Sequence, residues 1–181
     1  RSVKTKTWFY RYLKESEFGK MLLNVTTEFI KDSFNTQGIV DSNDDLDMRA
    51  IDFIRSKDDE PYGEDVDILE DYKEVKKRIK QVYGQIHFRF AMTDEGCKMM
   101  RTRFTKRYYG VCTHPNCNNY PLLPYGHSSV IGVDMLSLYC ACCHNTVPTN
   151  EHIDGSYFGP WFVHYFFLEY PDLLPDRKSV V

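Results

Sequence analysis

The chain has 181 residues, 42% of them hydrophobic and 15% aromatic, and a formal net charge of −3. That length suits one domain, or one domain with a small appendage, and is enough to bury a real core. The small net charge excludes a global pull towards nucleic acid, and no apolar run approaches the roughly 20 residues of a membrane-crossing helix.

The total hides an asymmetry. Residues 41–74 hold fourteen acids and four bases, whereas residues 75–111 hold ten bases and two acids. An acidic loop followed by basic helical surface is therefore expected. Arg1 stands first rather than Met, which reads as a fragment or a processed chain.

In chain order, residues 1–23 are mixed basic and aromatic. Thr26 predicts a helix N-cap with Glu28 in the first turn. Phe29, Ile30 and Phe34 give that helix one apolar face, and Gly38 ends it. Asp44 or Asp45 caps a second short helix, with Leu46, Ala50, Phe53 and Ile54 at helical spacing. Residues 56–65 carry Pro61, Gly63 and a run of acids, and read as a loop.

A long amphipathic helix is expected over 66–91, because Ile68, Tyr72, Val75, Ile79, Val82, Ile86 and Phe90 recur every three or four residues. Its polar face carries Lys76, Lys77, Arg78 and Lys80. Gly84 within it suggests a closely packed neighbour, and His87 reads as a hydrogen-bonded core or interface residue. Thr93 and Asp94 cap the next helix, with Cys97, Met100 and Phe104 on its inner face and Lys98, Arg101, Arg103, Lys106 and Arg107 making it basic.

Six cysteines are present. Cys112 and Cys117 form one close pair, twenty-two residues intervene, and Cys140 and Cys143 form the second. Two such pairs separated by a loop of this size are the sequence form of a four-thiolate zinc site, with sulfur about 2.3 Å from the ion. Cys112, Cys117, Cys140 and Cys143 are the predicted ligands of one structural Zn2+. Cys142 could stand in for Cys143, although a C-x-C pair closes such a site less comfortably than C-x-x-C, and His114 and His144 could also ligate. Disulfides belong to oxidising compartments, and the leftover thiols Cys97 and Cys142 fit a reducing one.

Between the pairs, Tyr120 to Gly126 and Val133 to Tyr139 suit short strands, and Thr146 begins a third. The expectation is a three-stranded antiparallel zinc ribbon whose metal contributes directly to folding. An exposed apolar face on it would favour pairing with a second copy. Further on, His152 and Asp154 read as turn residues. The run from Trp161 to Leu168 reads as a buried strand or a contact surface. No phosphate-cradling Gly-rich loop of the kinase type is present.

The fold class is thus α+β: an all-helical N-terminal domain, a small antiparallel zinc ribbon and an irregular C-terminal tail. The domain expectations are 1–107 for the helical part with its acidic loop near 56–67, 108–150 for the ribbon as a dimerisation module, and 151–181 for a C-terminal segment packing on the body or a partner.

The zinc frame carries a family resemblance. Cys112 and Cys117 are followed by Leu123-Pro124-Tyr125-Gly126, then by Leu136-Ser137-Leu138-Tyr139-Cys140 and Cys143. With Tyr83-Gly84-Gln85-Ile86-His87-Phe88-Arg89 and Asp154-Gly155-Ser156-Tyr157-Phe158-Gly159 in their expected places, the chain resembles the regulatory (beta) subunit of casein kinase II along nearly its whole length. It departs from the family at Thr113 and Ala141, where Pro is usual, at Ser137, where a basic residue is usual, and in its shorter acidic loop. The family's C-terminal kinase-docking tail has no match, so no docking residue is carried over.

The resemblance implies a non-catalytic subunit located in cytoplasm and nucleus. Such a subunit forms a homodimer through its zinc ribbons, stabilises two catalytic Ser/Thr kinase subunits in a heterotetramer and alters substrate choice. It also implies that Asp58, Asp59, Glu60, Glu64, Asp65 and Asp67 receive polyamines or basic regions of substrates. No membrane partner is expected. The competing reading is a zinc-ribbon nucleic-acid-binding protein, using Lys76 to Lys80 and Arg101 to Arg107 with nearby tyrosines; the negative total charge and the acidic loop stand against it. A zinc hydrolase is disfavoured, since four thiolates leave no position for water.

Overall fold

The computed structural model describes residues 13–14, 16–55 and 69–176. The acidic-loop candidates Asp58, Asp59, Glu60, Glu64, Asp65 and Asp67, and the helical position Ile68, lie outside the described residues. The helices are α1 (Glu17–Met21), α2 (Thr27–Lys31), α3 (Asp45–Arg55), α4 (Leu69–Ala91), α5 (Asp94–Thr105) and α6 (Phe162–Glu169). Three short strands, β1 (Leu123–Tyr125), β2 (Ser137–Tyr139) and β3 (Thr146–Pro148), lie between α5 and α6. Two compact units divide the chain within α4, one holding residues up to Ile86 except Met21–Leu23, the other holding Met21–Leu23 and everything from His87.

In the first unit, caps set the short helices. Thr26 accepts the Phe29 N–H through its hydroxyl at the start of α2. Asp32 then accepts the Phe34 N–H and starts a separate 3-10 turn, Ser33–Thr36. The single helix expected here is therefore two short pieces, because Asp32 offers its carboxylate to a new set of orphan N–H groups. The expected apolar face is not buried: no residue of α2 is, and Phe34 is 76% exposed. Gly38 ends this stretch at φ 78°, a conformation glycine adopts without a Cβ penalty.

Helix α3 starts where expected. Asp44 accepts the Asp47 N–H, and Ala50, Ile51 and Phe53 are buried. Helix α4 buries Val75, Ile79, Val82 and Ile86, as its repeat of three and four residues predicts. One residue of its basic face turns inward. Arg78 forms an ion pair with the buried Asp47 and donates to the Ile39 carbonyl. The same carboxylate accepts the Asp41 N–H. The guanidinium holds the Asp47 carboxyl below the usual carboxylate range, against a desolvation cost that would raise it.

In the second unit, α5 is capped by Thr93, whose hydroxyl accepts the Gly96 N–H. It buries Cys97, Met100 and Phe104, the inner face expected. The run from Trp161 to Leu168, expected as a strand or contact surface, is instead helix α6 with one further residue. Phe162, Val163, Phe166 and Phe167 are buried and Leu168 is 79% exposed. An almost uninterrupted apolar run shows no period, so strand and helix read alike; packing decides here. Phe104 of α5 meets Phe166 and Phe167 of α6 at ring-centroid distances of 5.7 and 6.1 Å.

His87 is the polar centre of this unit and is fully buried. Its Nε2 accepts the Leu23 N–H at 2.9 Å, and its Nδ1 lies 2.8 Å from the Tyr157 carbonyl. An N–H on one side and a carbonyl on the other fix a neutral ring with its proton on Nδ1. Burial pushes its pKa down to about 4, with the Tyr157 carbonyl pulling the other way. Nearby, Arg103 donates to the Tyr109 hydroxyl, and that hydroxyl donates to the Met21 carbonyl. Met21–Leu23 is thereby held from two sides.

Two tests follow from these polar contacts. Arg78→Ala leaves Asp47 charged and half-satisfied, and is expected to lower unfolding free energy by about 2–3 kcal/mol, read from urea midpoints. For His87, the folded pKa lies below the ordinary value, so the unfolded chain binds the extra proton as pH falls from about 6.5 towards 4, and stability falls with it. Between pH 7 and 5.5, wild-type protein is expected to lose about 1 kcal/mol more than His87→Gln, which keeps a donor and an acceptor but cannot take up the proton. Equal acid slopes for the two proteins would remove the role assigned to His87.

Candidate metal centre

The four predicted ligands meet. The sulfurs of Cys112, Cys117, Cys140 and Cys143 all lie within 4.8 Å of one another. The Sγ–Sγ distance is 3.8 Å for Cys112 and Cys143, and 3.9 Å for Cys140 and Cys117. Four sulfurs placed about 2.3 Å from one ion at tetrahedral angles stand roughly 3.8 Å apart. The donor set and its spacing therefore fit a tetrahedral thiolate site. The first three ligands are buried and Cys143 is partly exposed.

Two tight turns present these sulfurs. In the first, Pro115–Cys117 forms a 3-10 turn entered at His114, whose carbonyl accepts the Cys117 N–H. Asn118 and Asn119 then adopt φ of 49° and 56°, the left-handed region that Asn tolerates best among non-glycine residues. The Cys112 N–H pairs with the Tyr120 carbonyl and closes the turn. In the second turn, the His144 N–H bonds the Cys140 carbonyl, and the Cys140 N–H bonds the Asn145 carbonyl. The Thr113 and Ala141 substitutions leave both turns able to bring their sulfurs together. Neither histidine joins the set: His114 Nδ1 accepts the Asn116 N–H, and His144 Nδ1 engages the Tyr139 hydroxyl at 2.8 Å.

The strands follow from the turns. They form one antiparallel sheet in the order β1-β2-β3, pairing Leu123 with Tyr139, Tyr125 with Ser137, and Leu138 with Val147. Each strand is three residues long, which is too little sheet to be stable alone in water. Leu122 and the buried cysteines form its interior, with Tyr120 and Leu138 packed against them.

The motif glycines have a shared reason. A Cβ on Gly126 would stand 1.9 Å from the Gly155 carbonyl oxygen. The Leu123–Gly126 strand end and the Asp154–Gly159 turn thus pass backbone against backbone, and the Gly126 N–H bonds the Gly159 carbonyl. Asp154 supports the crossing: its carboxylate accepts the N–H groups of Ser156 and Gly132. His152 is exposed.

Several basic residues of the nucleic-acid reading are engaged within the protein. Arg101 pairs with Asp172 at 2.9 Å and lies over the Tyr170 ring, and Arg103 is bound to Tyr109. Arg78 pairs with Asp47. Cys142, the alternative to Cys143 that the sequence offered, lies outside the four-sulfur set. Its thiol is buried within the same cluster of cysteines. The doubled cysteine in Cys140-Ala141-Cys142-Cys143 was the available signal.

An α+β chain whose small antiparallel sheet is gathered round four converging thiols is a protein of the zinc-ribbon type. Residues 7–180 match the casein kinase II regulatory subunit family. The chain is 32% identical over 174 residues to casein kinase II subunit beta of Dictyostelium discoideum, covering 93% of this chain and 62% of that one. It is 32% identical over 177 residues to casein kinase II subunit beta' of Drosophila melanogaster, covering 96% and 78%. Against casein kinase II subunit beta of Schizosaccharomyces pombe it is 33% identical over 176 residues, covering 95% and 72%. The chain belongs to the casein kinase II regulatory subunit family. It spans less than two thirds of the length of the Dictyostelium relative.

Burial pushes the Cys140 thiol up to about 11 when no ion is bound. An ion must displace thiol protons to bind, so metal affinity rises with pH. Cys112→Ser and Cys140→Ser are each expected to abolish stoichiometric zinc binding and to unfold the ribbon, because metal binding supplies its folding energy. Cys142→Ser is expected to keep one zinc per chain. Metal analysis of the purified variants checks all three, and zinc loss on Cys142→Ser would reassign the ligands.

Proposed function

We propose that this chain is a non-catalytic regulatory subunit of a casein kinase II-type Ser/Thr protein kinase. Zn2+ held by Cys112, Cys117, Cys140 and Cys143 stiffens the ribbon, and the ribbon joins two copies of the chain. The dimer holds and stabilises catalytic subunits and biases their choice of substrate. Asp58, Asp59, Glu60, Glu64, Asp65 and Asp67 supply negative charge for polyamines or basic substrate segments. The expected cytoplasmic and nuclear location belongs to the same reading.

The observation that carries this proposal is the four-sulfur set in a ribbon too small to fold unaided. Four thiolates fill a tetrahedral sphere, so the ion's role is structural. The ribbon region also leaves apolar residues uncovered. Val130 and Val133 are each 62% exposed, and Met135 and Val147 are close to half exposed. Uncovered apolar surface on a metal-stiffened sheet is what a second copy would bury. Family membership supports the kinase partner.

The dimer is tested by sedimentation of the zinc-loaded chain at micromolar concentration. A dimer is expected for wild type, and Val147→Asp is expected to shift it to monomer with zinc retained. A zinc-loaded wild-type monomer would remove the dimer from the proposal. Co-purification of the full-length gene product with the catalytic subunit of the same organism tests the partner, and failure to associate in both orders of tagging would remove that part.

A further inference from the structure

The four-sulfur set leaves one neighbouring thiol unassigned. Cys142 is only 7% exposed, more deeply buried than its neighbour Cys143, which is the one partly exposed member of the set. Cys142 packs in one buried cluster with Cys112, Cys117 and Cys140, and its thiol makes a long contact of 3.9 Å to the Asn116 carbonyl. It thus lies in the buried cluster without belonging to the four sulfurs that lie within 4.8 Å of one another. Cys97, the remaining cysteine, instead contacts the Ala91 carbonyl.

We propose that Cys142 is a reserve ligand: when the Cys143 sulfur is lost, the Cys142 thiolate completes the tetrahedron with Cys112, Cys117 and Cys140. The inference rests on the metal reading given above. Three features make the exchange cheap in structural terms. Cys142 and Cys143 are consecutive on one turn, so the change is a local rotation rather than a rearrangement of strands. Cys142 is already packed in the same buried cluster as Cys112, Cys117 and Cys140, so no new path into the cluster has to open. A soft thiolate replaces a soft thiolate, so the donor set keeps its charge and its preference for zinc. The exchange also has a direction, since the partly exposed Cys143 is the sulfur that solvent reagents reach first. On the other turn, Cys112 has no spare thiol beside it in sequence.

The test uses the full chain loaded with Co2+ in place of zinc, whose thiolate-to-metal charge-transfer absorption grows with the number of bound sulfurs. Wild type, Cys142→Ser, Cys143→Ser, the double variant and Cys112→Ser are compared by ions per chain and by that absorption. Cys143→Ser is expected to keep one ion with four-sulfur absorption, bound ~10- to 100-fold more weakly, the range that disturbing the support of a metal site costs. The double variant, left with three sulfurs, is expected to lose stoichiometric binding, as is Cys112→Ser. Three-sulfur absorption or no ion in Cys143→Ser, with wild type and Cys142→Ser normally loaded, overturns the reserve role. Unfolding of Cys143→Ser counts the same way, because a working substitute ligand would have held the ribbon. If wild type itself binds no ion, the metal reading fails and the reserve role falls with it, so the two failures are told apart.

Discussion

The small sheet of this chain depends on bringing two cysteine turns, with twenty-two residues between them, to sulfur separations of 3.8 and 3.9 Å. Three strands of three residues each do not form a sheet by their own hydrogen bonds. The interior of the ribbon is made mostly of sulfur, with Leu122 the one aliphatic residue among the buried cysteines. The spacing of these sulfurs is the one a tetrahedrally bound ion would hold. Once the turns are joined, the register of β1, β2 and β3 is fixed. Gly126 is then delivered against Gly155, where only a hydrogen can stand between the two backbones.

The metal frame and most helices were legible because their signals are local. Cysteine spacing, the Thr26 and Thr93 caps and the spacing of Val75, Ile79, Val82 and Ile86 each need only a few neighbouring residues to be read. What could not be read depends on distant partners. Asp47 is buried because Arg78 arrives thirty-one residues later, and nothing near either residue announces the other. The Phe29–Phe34 stretch looked like one amphipathic helix, yet Asp32 breaks it, Phe29 and Ile30 are only half-buried and Phe34 is exposed. The aromatic run after Trp161 had no period to read, and Phe104 of a different helix decided its state.

Charge that reads as surface in the sequence is partly turned inward. Arg78, Arg101 and Arg103 each have a specific protein partner: a carboxylate, a carboxylate with an aromatic ring, and a tyrosine hydroxyl. An arginine held in this way is pre-organised and spends little further entropy. It also presents less charge outward than its place on a helical wheel implies. Three of the basic residues on these helices thus serve to tie elements together.

The bonds around His87 set an order of assembly. Its two partners, Leu23 and Tyr157, lie sixty-four residues before it and seventy after it. A chain emerging from the ribosome exposes Leu23 early and can form the first bond once α4 is out. The second must wait until the ribbon has emerged as well. Until α6 follows, the face of α5 that receives Phe166 and Phe167 lacks those two rings. Contacts of such long sequence separation form slowly, and apolar surface left open meanwhile is prone to wrong association. The packing of α5 is therefore completed only after α6 has been synthesised.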